Sequence, residues 1–415
     1  MQGEIIAIGD ELTSGRILNT TSSYAARKLF EAGYSIHAMS TIGDSPELIE
    51  DALLRAIRNV DFIIVTGGLG STDDDLTNEA VSQALNRPTM PNLEMLAQIR
   101  AHLESKNRTP DSTLEKIAWL PTGADPFNPK SRVAGYQLIH DDTPIFFLPG
   151  VPSEMQELMT DTVLPRLAAW KAGSRFKTSQ RIYKIFNLSE PDVNRIVNTL
   201  SLPEEIIIGY YPVFPDVHLS VMIREKDKPG SQELFEKTCA VIKKELGTAI
   251  YGQDKDTQES VIGTQLLKLG MNLSVAESCT GGLIASRITG NPGSSAYFEG
   301  GAVTYSNELK IRFLDVPVTL INEYGAVSRE VAEAMVSGIR KSCGTDAAIA
   351  VTGIAGPDGG SVEKPVGTVF IALNCREYHQ VEEFSFSGNR KRIQTLTAQH
   401  ALNMLRLHLG YLLAS

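Results

Sequence analysis

The stretch DFIIVTGGLGSTDDDLT, residues 61–77, runs from a short apolar segment into three glycines, three consecutive aspartates and a new helical pattern. An apolar run of this length, closed by glycines, reads as a buried strand ending in a loop. Outward from it the alternation repeats. EIIAIG (4–9) reads as a first strand, NTTSSYAARKLFEAG (19–33) as a helix closed by Gly33, and YSIHAMSTI (34–42) as a second strand. SPELIEDALLRAIRNV (45–60) follows as a helix with Ser45 as N-cap, Pro46 at N1 and Glu47 in the first turn. DTPIFFLPGVPSEMQELM (142–159) gives strand, tight turn and helix again. Strands spaced by such helices imply βαβ units on a mostly parallel sheet, with ligands beyond the carboxyl ends of the strands.

Three loops fall at that edge: GDELTSG (9–15), TGGLGSTDDDLT (66–77) and PGVPSEM (149–155). Gly67, Gly68 and Gly70 permit unusual dihedrals, and their N–H groups can cradle an oxyanion. Asp10, Glu11, Asp74 and Asp75 offer the oxygen ligands a hard divalent cation prefers. A metal beside a phosphate nest points to phosphoryl or pyrophosphoryl chemistry. The plainer reading is a tight turn with Asp73, Asp74 and Asp75 at a helix N-terminus. Neither a Walker A loop nor a dinucleotide GxGxxG fingerprint is present.

At 415 residues the chain suggests two to four domains at roughly 100–200 residues each. Residues 171–255 read as a small β-α-β-β-α module without a converging polar set, suited to connecting or dimerising. The four cysteines, Cys239, Cys279, Cys343 and Cys375, lie too irregularly for a disulfide framework or a zinc site, which fits a reducing cytoplasm. The N-terminus carries no signal-peptide pattern, and no apolar run approaches the ~20 residues needed to span a bilayer. The formal net charge of -10 is concentrated in residues 1–170, with 23 acids and 13 bases. Without a basic stripe, direct nucleic-acid binding is not expected.

The last segment, 256–415, opens with the amphipathic helix TQESVIGTQLLKLG (257–270) and the strand MNLSVAESC (271–279). That strand delivers AESCTGG, residues 276–282, to a turn before a helix expected from about Thr280. Ser278 and Cys279 are both candidate nucleophiles for a carbonyl. Free N–H groups at Gly281 and Gly282 would stabilise an oxyanion at the helix start. VTYSNELK supplies Tyr305 and Lys310, and a lysine shielded from water can act as base. No histidine accompanies Cys279, and adjacent side chains at a strand end tend to face oppositely, which favours Ser278. VTGIAGPDGG (351–360) adds Thr352 and Gly353, and SFSGNRKR (385–392) adds Arg390, whose donor fork suits a phosphate. Together these describe hydrolysis of an amide in a phosphorylated small molecule; a phosphate-binding domain without catalysis is the alternative.

Residues 1–170, through GDELTSG, TGGLGSTDDDLT and FFLPGVPSEM, resemble the MogA/MoaB-type molybdopterin-binding fold in the version that opens competence/damage-inducible CinA proteins. Ser71 stands where that family usually has Pro. Residues 256–415 resemble the CinA C-terminal nicotinamide mononucleotide (NMN) deamidase domain through AESCTGG, VTYSNELK, GAVS, TGIAGPDGG, KPVGTV and FSGNR. The resemblance implies α/β architecture: two layered α/β domains joined by a small α+β module. It implies a cytoplasmic homodimeric hydrolase of NAD recycling that converts NMN to nicotinate mononucleotide and ammonia. The catalytic serine, lysine, tyrosine and threonine fall on Ser278, Lys310, Tyr305 and Thr352, with no cofactor, and the phosphate arginine on Arg390 or Arg392. For the first domain it implies an ADP-ribose pyrophosphatase using Mg, Mn or Co on Asp74, Asp75 and Glu11. Rival readings are a molybdopterin-binding protein and a non-enzymatic partner in competence or DNA damage.

Overall fold

The structure is a computed structural model that describes residues 1–106, 112–128, 134–170, 177–225 and 230–415. The boundary expected between 170 and 171 lies at the edge of the described residues. Two compact units divide the chain: Met1–Thr178 with Arg224–Pro229, and Ser179–Ile223 with Gly230–Ser415.

The first unit is built on a six-stranded sheet in the order Ser35–Ile42, Gln2–Ile8, Phe62–Thr66, Thr143–Leu148, Tyr136–His140, Asp125–Pro126. The first four strands are parallel and the last two antiparallel. Alternate side chains enter opposite faces, as a pleated strand requires. Ile5, Phe62, Ile64 and Phe146 pack with Leu29 of the helix Thr20–Glu31 on one face. Ile6, Ile63, Val65 and Phe147 pack with Leu53 of Pro46–Asn59 on the other. Burial on both faces is why these strands read as unbroken apolar runs. Ser45 precedes its helix as expected, but its hydroxyl donates to the Glu47 carboxylate rather than capping a backbone N–H.

In the second unit, a four-stranded sheet runs Ile206–Val213, Asp216–Glu225, Lys177–Ile185, Ile250–Gln253. The last of these strands was not anticipated; four residues give little pattern to read. A five-stranded sheet runs Phe298–Val303, Leu273–Glu277, Ala347–Gly353, Thr368–Cys375, Tyr378–Ser385. Its first three strands are parallel and its last two antiparallel. The helix Gln258–Leu269 is closed by Gly270 in the left-handed region (φ 62°), where glycine carries no Cβ penalty. The edge strands Phe298–Val303 and Tyr378–Ser385 carry glycines or alternating exposed polar groups, and their sequence signal is correspondingly weak. Among the described residues no helix is long and apolar enough to cross a membrane.

Both large sheets share one constraint. A central strand, Gln2–Ile8 or Leu273–Glu277, has parallel neighbours on both sides. Connections leaving such a strand and its later neighbour diverge, opening a crevice at their carboxyl ends. Both candidate sites lie at these switch points.

One close packing contact supports the second. The helix Arg329–Cys343 lies so near the end of the helix Asn307–Leu314 that a Cβ on Gly338 would sit 1.9 Å from the Leu314 carbonyl oxygen. Gly338→Ala should therefore lower stability by about 1–3 kcal/mol. Urea unfolding followed by circular dichroism reads this; an unchanged midpoint would contradict the packing.

Candidate functional site

The strand Leu273–Glu277 ends at Ser278, whose N–H donates to the Val351 carbonyl at 3.1 Å. The turn that follows is held by Glu277. This carboxylate, 1% exposed, accepts the N–H groups of Gly282 (3.0 Å), Ile284 (3.1 Å) and Ala285 (2.8 Å). It caps the helix Leu283–Thr289, whose N-terminus favours negative charge. Gly281 and Gly282 adopt φ of 64° and 96°, which only glycine takes without strain.

This corrects the expected oxyanion donors. The helix begins at Leu283, not near Thr280. The Gly281 N–H donates to the Ser278 carbonyl and the Gly282 N–H to Glu277, so neither is free. The backbone N–H groups of Cys279 and Thr280 have no acceptor among the described residues.

Lys310 lies on the helix Asn307–Leu314, N-capped by Ser306, and is 1% exposed. Its Nζ is 3.0 Å from Ser278 Oγ, 2.8 Å from the Thr304 carbonyl and 3.4 Å from the Tyr305 carbonyl. No carboxylate pairs with it among the described residues, and burial holds its pKa below the usual lysine value. A neutral amine has two N–H bonds and a lone pair. With the amine deprotonated, its two N–H bonds would go to the two carbonyls and its lone pair would be left for the serine hydroxyl. The arrangement can remove the proton of Ser278 as it attacks a carbonyl.

Cys279 faces the apolar core with Val275 and Ile284, and burial pushes its thiol up to about 12. Its carbonyl accepts from Gln394 Nε2 at 2.9 Å. Tyr305 is not in the catalytic contact expected of it. Its phenol, on a side chain 59% exposed, accepts from Arg390 Nη2 at 2.7 Å, and only its backbone carbonyl reaches Lys310. The buried Thr352 hydroxyl donates to the Ala326 carbonyl at 2.7 Å. Gly353 ends the adjoining strand, where a Cβ would lie 2.7 Å from Val369. Arg390 Nη1 donates to the Gly356 carbonyl at 2.7 Å, tying three site loops together. Arg392 stacks instead over the Phe214 ring at 4.4 Å, so Arg390 is the arginine at the site. Glu277 and Thr304 were missed in the sequence; a capping carboxylate and a backbone acceptor leave no motif.

At the first unit's switch point a cavity of about 450 Å³ is lined by Glu11, Asp74 and Asp75, as expected, and also by Asp44 and Glu154. Gly67, Gly68 and Gly70 line it too. A Cβ on Gly67 would sit 2.1 Å from the Ile8 carbonyl oxygen, which accounts for glycine there. The Gly67 N–H is not a free donor, because it bonds the Leu148 carbonyl. Those of Gly68, Leu69 and Gly70 have no acceptor among the described residues. Asp75 Oδ2 accepts from the Thr72 N–H and hydroxyl at 2.9 and 2.6 Å and so shapes the loop. The Asp10 N–H donates to the Asp44 carboxylate at 2.8 Å and the Asp44 N–H to the Asp10 carboxylate at 3.2 Å, fixing two loops to one another.

Burial, joined by the nearby charges of Asp10, Glu11 and Asp74, pushes the Asp44 carboxyl up, although a backbone bond from Asp10 opposes the shift. Such uncompensated negative charge and an all-oxygen donor set fit a hard dication. Among the described residues no three acidic, imidazole or thiol groups converge as a ready-made cage. The lining fits an ion held by one or two carboxylates, with its other ligands supplied from outside the protein.

Residues 4–169 match a probable molybdopterin binding domain, 180–252 the damage-inducible protein CinA KH domain, and 255–409 the CinA C-terminal domain. The middle match contains no G-x-x-G, the loop with which KH folds clamp nucleotides. A CinA-like protein of Desulfotalea psychrophila is 58% identical over 409 residues, 99% of each chain. A CinA-like protein of Citrifermentans bemidjiense is 40% identical over 421 residues, 99% of this chain and 98% of its own. Among solved structures, the competence/damage inducible protein CihA of Agrobacterium tumefaciens is 41% identical with a TM-score of 0.36, over 37% of this chain and 95% of its own.

The buried thiol gives a direct check. Iodoacetamide at about pH 8 should label partly exposed Cys343 and spare Cys279 until the chain is unfolded. Peptide mass spectrometry measures both; fast labelling of Cys279 in the folded chain would contradict its placement.

Proposed function

The chain belongs to the CinA family, and from that premise we propose that its second unit hydrolyses the carboxamide of NMN to nicotinate mononucleotide and ammonia. The observation that carries this reading is the 3.0 Å contact between Ser278 Oγ and a buried, charge-unpaired Lys310. Lys310 accepts the hydroxyl proton as Oγ attacks the carboxamide carbon. The N–H groups of Cys279 and Thr280 stabilise the oxyanion. The C–N bond then breaks, and the proton held by Lys310 passes to the departing nitrogen, which leaves as ammonia. Water attacks the resulting ester with Lys310 again as base, releasing the carboxylate and restoring Ser278. Arg390 binds the substrate phosphate through N–H groups not used on Gly356 and Tyr305. Tyr305 positions Arg390. Thr352 secures the neighbouring turn.

The first unit is proposed to cleave ADP-ribose to AMP and ribose 5-phosphate. The N–H groups of Gly68, Leu69 and Gly70 hold a phosphate oxygen. Glu11, Asp44, Asp74 and Asp75 are the residues from which a divalent ion would be held. When bound, such an ion neutralises charge on the diphosphate. Both substrates are fragments of NAD, so one chain with both sites serves recycling of that cofactor.

Variants and chelation separate the two sites. Ser278→Ala should cut ammonia release from NMN by at least about a thousandfold while ADP-ribose cleavage continues. Cys279→Ala should keep most deamidation. EDTA should stop ADP-ribose cleavage and leave ammonia release intact. An active serine variant beside a folded, inactive cysteine variant would overturn the nucleophile assignment. Equal loss of both activities on chelation would overturn the metal assignment.

A further inference from the structure

One corner of the middle module reaches the helix that carries Arg390. The strands Ile206–Val213 and Asp216–Glu225 pair as a hairpin in which Val213 faces Asp216, leaving Phe214 and Pro215 as the turn. Asp216 anchors that turn. Its carboxylate accepts from the Tyr251 hydroxyl at 2.8 Å and from Gln399 Nε2 at 2.6 Å. Gln399 belongs to the helix Arg390–Ala414, and its Oε1 accepts from Arg287 Nη2 at 2.6 Å. Phe214 is 48% exposed, and the Arg392 guanidinium lies over its ring at 4.4 Å. Residues 392 and 399 are seven apart, so the turn follows one face of the helix over about two turns.

The start of this helix has little else to hold it. Residues 387–392 are all exposed, and Ile393 is the first residue of the helix to be buried. A segment without buried apolar contacts is the first to open locally. Arg392 folds back across Gly388, where a Cβ would sit 2.4 Å from Arg392 Cδ, and its backbone N–H donates to the Asn389 cap at 2.9 Å. The Arg392 guanidinium has no hydrogen bond or ion pair among the described residues, so its place rests on Gly388 and the Phe214 ring. Arg390 leaves the same turn about 200° away around the helix and reaches Gly356 and Tyr305. The exposed corner is therefore held from two sides, by the site loops through Arg390 and by the middle module through Arg392.

We propose that Phe214 is a positioning residue for the second unit's site. By stacking on Arg392 it fixes the corner that carries Arg390, and so strengthens the hold on the substrate's phosphate. The inference rests on the reading of this site as an NMN deamidase with Arg390 on the phosphate. It adds that the middle module, expected only to connect or to dimerise, tunes substrate affinity.

In the full chain, Phe214→Ala should raise KM for NMN about threefold with kcat nearly unchanged. Phe214→Tyr, which keeps the ring face, should restore the original KM. Nicotinamide riboside has the same carboxamide without the phosphate, and Phe214→Ala should leave its kcat/KM unchanged. In an Arg392→Met background, Phe214→Ala should add no further loss, because both changes remove one contact. An unchanged KM for NMN, or equal losses on NMN and nicotinamide riboside, overturns the positioning role. Calorimetric binding of NMN to the Ser278→Ala chain separates this role from the activity. Binding weakened about threefold by Phe214→Ala, in a protein whose parent chain releases no ammonia from NMN, keeps the positioning role and removes the deamidase reading. Ammonia release and NMN binding that both ignore Phe214→Ala remove the positioning role and leave that reading standing.

Discussion

A buried carboxylate holds the second unit's chemistry in place. Glu277 is almost fully enclosed, yet it accepts three backbone N–H groups from the turn and helix that follow. Each bond to an ionised group is stronger than a neutral one, and together they offset the cost of burying the charge. The result is a turn with one geometry. Ser278 stays at the strand end, its N–H on Val351, and its hydroxyl points at Lys310. Because Glu277 is already saturated by its own helix, it does not pair with Lys310. The lysine therefore remains without a counter-ion in an enclosed site, which is the condition for a neutral amine.

The two large sheets solve the same positioning problem with different loops. In each, the first strand is central and the crevice opens where connections diverge. In the first unit the crevice is filled with glycines and carboxylates, suited to phosphate and a cation. In the second it holds a serine hydroxyl, a buried amine and an arginine. Fold alone does not choose between them; the loop residues do.

Much of this was legible in the sequence, for physical reasons. Buried parallel strands such as Phe62–Thr66 and Ala347–Gly353 are apolar throughout and closed by glycines, so their ends, and hence the site loops, could be placed. Ser278 and Lys310 were found because each sits in a distinctive motif, although 32 residues separate them. What could not be read is the use of groups by distant partners. The Gly281, Gly282 and Gly67 N–H groups looked free, and each is taken by an oxygen whose approach depends on the fold. Asp44 lies in an unremarkable turn, and only the reciprocal bonds with Asp10 bring it to the cavity. Tyr305 and Arg390 lie 85 residues apart and pair through ends of side chains that no periodicity reports.

The protonation state of Lys310 is the point on which the second site turns. Its folded-state pKa is depressed by burial, so the amine should lose its proton below the range of the other lysines. The same shift makes stability rise with pH between the folded and unfolded values, because only the unfolded chain then holds the proton. The direct measurement is a pH titration of the lysine side-chain carbon and nitrogen resonances by heteronuclear NMR, with Lys310→Met assigning the signal. A Lys310 midpoint clearly below the bulk of the lysines is the expected result. A Lys310 that titrates together with the exposed lysines, near the ordinary value of about 10.4, would contradict its role as the base.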